Sequence, residues 1–463
     1  MKNFRTKKGF VVFILLSVLA LAAAGQTPLP AATGKAPVII IPGLTGSDLV
    51  NSKTGEEVWF KARRAKDDDL RLPISPILSD NRDDLVTKDI LRSIHLLKFL
   101  PEVEIYERLT VALGERGYRE ARWDSAKRGD HQDTFLVFPY DWRLDNVENA
   151  RLLVRRIEAL KRTLRKPNLK FNVIAHSMGG LIARYAAMYG DRDIPAGVPK
   201  PTWAGSRHFD KIFLLGTPNE GSLDSLNALL NGFSYIGGGL NIPFVQNIDR
   251  FDTFTIQSIY QLLPHDGSFL VYDENLNRLS IDIYDPEMWE KYDWAIWRDD
   301  DFSKEFPFDE QKNAQAYFRA VLLRAKRFQE ALDANTSKKV PVSLYLVGAD
   351  CKETSNAVLL LRNKEKKRWE THFKADGFTN SSGRKITDEE LKPIMFGLGD
   401  SVVTKRSLAG ESLVAGGKTA SLPIVGEFYR CEVHNKLATN PEIQEKLFAL
   451  LDADVDTKVA NKP

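Results

Sequence analysis

The stretch Phe171–Gly180 reads FNVIAHSMGG, and it narrows the fold more than any other part of the chain. An apolar, β-branched run ends on a serine with a small residue two positions before it, Ala175, and another two after it, Gly179. The pattern predicts a strand over Leu169–Ile174 that turns sharply into a helix over Met178–Tyr189, with Ser177 at the apex. Small residues at both flanking positions let strand and helix backbones approach closely around such a strained turn. Ser177 is therefore a candidate nucleophile. The plainer alternative is turn punctuation, since Gly and Ser commonly mark the handover from strand to helix. His176 adjoins the serine, but adjacent residues on such a turn point in different directions, so it reads as packing rather than as the base.

The rest of the chain repeats the strand-then-helix rhythm. Apolar runs at Val38 (APVIII), Val137 (TFLVFP), Phe213 (KIFLLG) and Tyr345 (VSLYLVG) read as strands beside the one that precedes the serine. Between them lie amphipathic stretches such as Val147–Leu164, with Val154, Ile157 and Leu160 at helical spacing. Continuous apolar strands alternating with helices predict an α/β fold, a mostly parallel sheet covered on both faces. Two regions break the rhythm. Residues 60–102 are charged and irregular, and residues 224–337 are rich in aromatics without clear alternation (GFSYIGGGL, YQLLP, MWEKYDWAIW). Both read as cap or lid insertions, because long aromatic-rich connections are seldom disordered. Phe233, Tyr235, Ile236, Leu240, Ile242 and Phe244, around three glycines, suit lipid chains and a mobile cover, and equally suit packed core.

Composition matters mainly at the N-terminus. The formal net charge of the 463 residues is +3, but Lys2, Arg5, Lys7 and Lys8 precede an apolar run, and without them the balance is −1. Nothing in the bulk charge recommends a nucleic-acid partner. A basic start, the run FVVFILLSVLALAAA and small residues at Ala22 and Ala24 predict a signal segment over residues 1–24. The run is shorter than the roughly 20 residues that span a bilayer comfortably. Residues 25–36 read as a polar linker and residues 37–463 as the catalytic domain. An exported chain, secreted or periplasmic, favours pairing of Cys351 with Cys431, its two cysteines. That bridge would brace the loop carrying His434.

A serine at such a turn needs an acid and then a base later in the chain. Of the histidines after Ser177, His208 comes too early, His265 falls within the insertion and His372 lies in a charged loop. His434, in CEVHNKL before a helical segment at Pro441–Leu451, is the candidate base. For the acid, Asp350 ends a strand in VGAD and Asp400 sits in GLGDSVVT. Residue patterns alone leave both open, since either can accept from the histidine ring and fix its tautomer.

The segments VIIIPGLTGSDL, FPYDWRLD, AHSMGGLIARY, GTPNEGS, YQLLP, GLGDSVV and EVHNKL occur in that order. Together they resemble the lecithin:cholesterol acyltransferase family, which includes lysosomal phospholipases and phospholipid:diacylglycerol acyltransferases. The similarity runs from about Val38 to His434. It implies an α/β-hydrolase fold with a membrane-facing cap and lid, and a triad of Ser177, Asp400 and His434. The family places glycine directly after the acid, where this chain has Ser401. It also implies an oxyanion hole made by the amides of Leu44 and Met178, consistent with Pro42 and Gly43 ending the first strand sharply. Such backbone donors contribute several kcal/mol in measured cases. The implied substrate is a membrane or lipoprotein lipid ester, with an alcohol or water as acceptor.

The remaining motifs read as scaffold. In PYDWR, Asp141 and Arg143 are expected to lock a strand end by ion pairing. Lys61, Arg63, Arg64 and Lys66 precede three aspartates and read as a solvated mixed-charge face. The acidic runs at Asp273 and Asp299–Asp301 lack the glycine and terminal glutamate of a calcium loop, so no metal or cofactor is expected.

Overall fold

The computed structural model describes residues 34–61, 69–94, 103–124, 131–234, 247–298, 300–334, 340–411, 422 and 424–453. The predicted signal segment, most of the predicted linker, Arg63, Arg64, Lys66 and the stretch from Tyr235 through Phe244 lie outside them.

Seven strands build the main sheet: β1 (Val38–Ile41), β2 (Arg119–Glu120), β3 (Thr134–Val137), β4 (Phe171–His176), β5 (Phe209–Leu215), β6 (Ser343–Gly348) and β7 (Ile424–Tyr429). Their order is β7-β6-β5-β4-β1-β3-β2, and every pairing is parallel. All six residues of the central β4 are buried, which is why it reads as an unbroken apolar run rather than an alternating one. The five strands expected from the sequence are present, with β4 running two residues further than predicted. β7 was not foreseen. It is an edge strand whose residues are at most partly buried, so it carries no continuous apolar signal.

Helices α1 (Glu107–Glu115), α2 (Asn146–Leu164), α3 (Met178–Tyr189), α4 (Leu223–Asn231), α5 (Phe308–Leu332) and α6 (Pro441–Asp452) accompany the sheet. Asp145 caps α2 by accepting from the Val147 N–H at 2.7 Å, and Val154, Ile157 and Leu160 form its buried stripe. α3 is buried along its whole length. Its one charged residue, Arg184, donates to Asn219 Oδ1 and to the Leu332 carbonyl, both at 2.9 Å.

That second contact belongs to α5, the end of the predicted insertion. Phe328 of α5 stacks on Tyr185 of α3 with ring centroids 5.8 Å apart, and the Tyr189 hydroxyl donates to the Ala331 carbonyl at 2.9 Å. Trp289 and Trp294 are also fully buried, Trp289 against Phe318 of α5 at 5.1 Å. Much of the aromatic content of residues 224–337 therefore fills core, since each large ring gains more from burial than from exposure. A small second sheet was likewise unforeseen. In it Leu270–Tyr272 pairs in parallel with Ala357–Asn363, joining segments distant in sequence.

The sheet register places the functional loops. Ile41 pairs with Ala175 across β1 and β4, and Leu215 with His176 across β5 and β4. The chain leaves all three strands at the same edge, so Pro42, Ser177 and Gly216 emerge side by side at their carboxyl ends, where open parallel sheets hold ligands.

Candidate active site

Ser177 sits between β4 and α3 with φ 53° and ψ −126°, a conformation that costs a non-glycine residue about 1–3 kcal/mol. Its neighbours explain how the turn survives. A Cβ on Gly179 would lie 2.4 Å from the Pro42 carbonyl oxygen, and one on Gly180 would lie 1.9 Å from Thr217 Oγ1. The glycines thus admit the ends of β1 and β5 rather than only letting strand and helix approach each other. The Ser177 N–H donates to the Leu215 carbonyl at 2.7 Å, which ties the apex to β5.

His434 meets this serine from the loop after β7. Its Nε2 lies 2.9 Å from Ser177 Oγ and its Nδ1 lies 2.7 Å from Asp400 Oδ2. Asp400 follows the strand Phe396–Gly399, which pairs antiparallel with Lys352–Ser355. Its other oxygen, Oδ1, accepts the N–H groups of Val402 at 3.0 Å and Val403 at 2.7 Å, while its carbonyl accepts the His434 N–H at 2.8 Å. Asp350, the competing acid, instead faces Lys405 at 3.3 Å and is about 40% exposed. Ser401, which stands where the family has glycine, takes φ 81°. The turn demands the left-handed conformation that glycine adopts freely, and Thr354 Oγ1 holds the Ser401 N–H at 3.0 Å to keep it there.

Of the other histidines after Ser177, His208 and His265 find structural partners. His208 is buried with Nδ1 3.3 Å from Lys161 Nζ, and His265 pairs with Asp333 at 2.9 Å in the interior. His372 lies on a strand of the second sheet. In the PYDWR segment the fully buried Arg143 binds both Asp83, at 2.6 Å, and Asp141, at 2.8 Å, as a scaffold pair would.

The Met178 amide follows Ser177 as that of the first residue of α3, and the Leu44 amide follows Gly43, where an added Cβ would lie 2.9 Å from Ser177 Cβ. Among the described residues neither amide has a hydrogen-bond acceptor within the protein. Tyr140 of PYDWR takes part here. Its hydroxyl donates to the carbonyls of Pro42 at 2.8 Å and Gly43 at 3.2 Å, and the Gly43 carbonyl also accepts the Gly46 N–H at 3.1 Å. A peptide unit is planar and trans, so holding the Gly43 carbonyl on one side aims the Leu44 N–H to the other.

Four further residues have roles that the sequence did not assign. Gly216 has φ 56°, and a Cβ there would lie 2.9 Å from both Asp400 Oδ2 and His434 Nδ1, so it forms the floor under that pair. In the sequence it shows as a glycine directly after an apolar strand and as the first residue of the GTPNEGS segment. Asp224, in the first turn of α4, lies close enough to His434 and Asp400 to act on both electrostatically. Ser222 caps that helix and donates to the Val402 carbonyl at 2.6 Å, tying it to the loop of Asp400. Tyr106 is the fourth; it accepts the Gly43 N–H at 2.9 Å.

Cys351 and Cys431, 80 positions apart in sequence, form a disulfide with S–S 1.99 Å. Cys351 adjoins the ribbon that delivers Asp400, and Cys431 precedes His434 by three residues. The bond therefore holds the loops of Asp400 and His434 together. A closed loop of that length restricts the unfolded chain by about 4.5 kcal/mol in the chain-entropy description.

The parallel sheet, the serine turn at its carboxyl edge and the chain order Ser, Asp, His define an esterase- or lipase-type α/β hydrolase. The family model for lecithin:cholesterol acyltransferase matches residues 92–321, so the chain resembles that family over this span. The matched span includes Ser177 and ends before Asp400 and His434. Among solved structures, the Tle4-Tli4 complex is similar in fold, with a TM-score of 0.55 at 14% identity, covering 92% of this chain and 99% of that one. Mature Bacillus licheniformis lipase BlEst2 is 12% identical over 92% of this chain and 95% of its own, with a TM-score of 0.34. An uncharacterized Saccharomyces cerevisiae protein, YJR098C, is 23% identical over 269 residues, 54% of this chain. The match spans about a third, 32%, of that curated relative's length.

Proposed function

We propose that this chain is an exported, serine-dependent lipid acyltransferase or lipase that draws an acyl group from a phospholipid. The observation that carries the reading is the continuous contact from Ser177 Oγ to His434 Nε2 at 2.9 Å and from His434 Nδ1 to Asp400 at 2.7 Å. His434 takes the serine proton as Oγ attacks the ester carbonyl, and the Leu44 and Met178 amides receive the negative charge on the carbonyl oxygen. His434 returns the proton to the departing lysolipid oxygen, which leaves an acyl-serine. Water or an alcohol, deprotonated by the same imidazole, then attacks the acyl carbon; Oγ leaves, takes back the proton and restores the serine. Asp400 orients the ring and stabilises the imidazolium throughout. Export is supported by the disulfide, which oxidising compartments favour. Among the described residues, no helix is long and apolar enough to cross a membrane.

Acyl-labelled phospholipid vesicles, with and without a sterol or diacylglycerol, test the reading. Label in a new ester identifies a transferase and its acceptor; label in free fatty acid alone identifies a hydrolase. Label that stays in the phospholipid refutes the proposal.

The pH profile gives a second check. Burial pulls the His434 pKa down, but the adjoining Asp400 carboxylate, with Asp224 behind it, outweighs burial and leaves it above the ordinary 6.5. The base must be neutral to accept a proton, so kcat/KM should rise with pH through a point above 6.5. Asp224 titrates nearby: burial raises its pKa, cationic His434 opposes and Asp400 adds to the rise, leaving it at about 7. Asp224→Asn removes negative charge that favours the imidazolium, so the acid limb is expected to move to lower pH. A limb that stays in place or moves upward removes Asp224 from the site's electrostatics.

A further inference from the structure

The hydrogen bonds around His176 run in one direction. Its Nε2 lies 3.0 Å from the carbonyl oxygen of His434, and a carbonyl can only accept, so Nε2 carries the proton. His176 is buried, and desolvation, with the nearby His434 charge adding to it, drives its pKa down to about 3. The ring is therefore neutral and Nδ1 is bare. Tyr106 Oη lies 2.8 Å from that Nδ1 and must donate to it. The hydroxyl's one proton is thereby committed, and its oxygen is left to accept the Gly43 N–H at 2.9 Å. Gly43 N–H, Tyr106 O–H and His176 Nε2–H thus form one oriented chain that ends on the backbone of the base.

We propose that Tyr106 is a positioning residue of the acyl-transfer reaction, holding the Pro42–Gly43 peptide, which directly precedes the Leu44 amide, and His434 in one common geometry through His176. The proposal rests on the reading of Ser177, His434 and the Leu44 amide given above. Both ends of the chain are backbone groups. At one end the Gly43 N–H fixes the peptide preceding the oxyanion donor, which Tyr140 holds from its carbonyl side. At the other the His434 carbonyl, together with the His434 N–H on Asp400, restrains the base from both of its own main-chain groups. Small displacements of such groups matter, because about 1 Å of misplacement costs on the order of a hundredfold in rate.

Tyr106→Phe keeps the ring and removes the link. It is expected to lower kcat about 10- to 100-fold with KM changed less than about twofold, and to weaken a trifluoromethyl ketone lipid analogue by the same factor as kcat/KM. That ketone forms a tetrahedral adduct and so reports on the oxyanion site. Rates are normalised to sites titrated with a fluorophosphonate, so a variant that merely folds poorly loses sites and keeps its kcat per site. Unchanged kcat and ketone affinity per titrated site overturn the proposal, provided Ser177→Ala is inactive. An active Ser177→Ala overturns the site reading and this proposal with it. Should Tyr106→Phe not fold, the ¹⁵N imidazole spectrum of the unmodified protein decides, with the signal assigned by its loss in His176→Gln. A neutral Nε2–H tautomer at pH 7 is expected, and an Nδ1–H tautomer or a charged ring reverses the chain and overturns it.

Discussion

Replacing Ser177 with alanine is expected to lower turnover of a phospholipid or a chromogenic ester by about 10⁶-fold while leaving the fold intact. The size follows from interdependence. In sites of this type, removing the nucleophile alone costs about as much as removing the whole set, and what survives comes from backbone donors and binding. The fold should be indifferent because Ser177 Oγ has one described partner, His434, and alanine keeps the Cβ that already occupies φ 53°. Steady-state rates and a thermal melt check both halves. Turnover within tenfold of the unsubstituted protein would mean that another residue carries the acyl group.

Asp400→Asn is expected to cost about 10⁴-fold in kcat, the effect that an equivalent change has in the serine-protease template. Asparagine can keep the two main-chain donors on its carbonyl oxygen, since Val402 and Val403 both address Oδ1. Its amide nitrogen then faces His434 Nδ1 and donates where the carboxylate accepted. The imidazole is forced into the tautomer with its proton on Nε2, pointing at the serine it should deprotonate. Asp350→Asn provides the contrast: that carboxylate faces Lys405 in partial exposure, where ion pairs contribute about 0–1 kcal/mol, and kcat should stay within about twofold. Equal losses in the two variants would assign the acid to neither.

That pair of substitutions also marks how far sequence could go. Ser177 was legible because strand, small residues and helix are all local to FNVIAHSMGG. Asp350 and Asp400 both close short apolar segments, so local pattern favoured neither strongly. What separates them is the antiparallel ribbon of Lys352–Ser355 with Phe396–Gly399, a long-range pairing that returns the chain to the site. β7 was missed because an edge strand with partial burial has no unbroken apolar run. Tyr106 was beyond reach for a different reason. Its role depends on contacts 63 and 70 residues away, and nothing about a tyrosine before a helix announces them. The aromatic insertion was ambiguous in another way: rings that suit a lid suit a core equally, and only their neighbours show that Trp289 and Trp294 themselves are core.

His434 lies 257 residues after Ser177, on the loop of the last strand to join the sheet. Distance along a chain is also time during synthesis. At roughly 5–20 residues per second, the serine, its strained turn and the Gly43–Leu44 peptide precede their base by roughly 13–50 s. Throughout that interval the growing polypeptide holds a nucleophile with nothing to deprotonate it. Under the function proposed above, the order of synthesis itself delays reactivity toward lipid esters until β7 and the loop of His434 arrive.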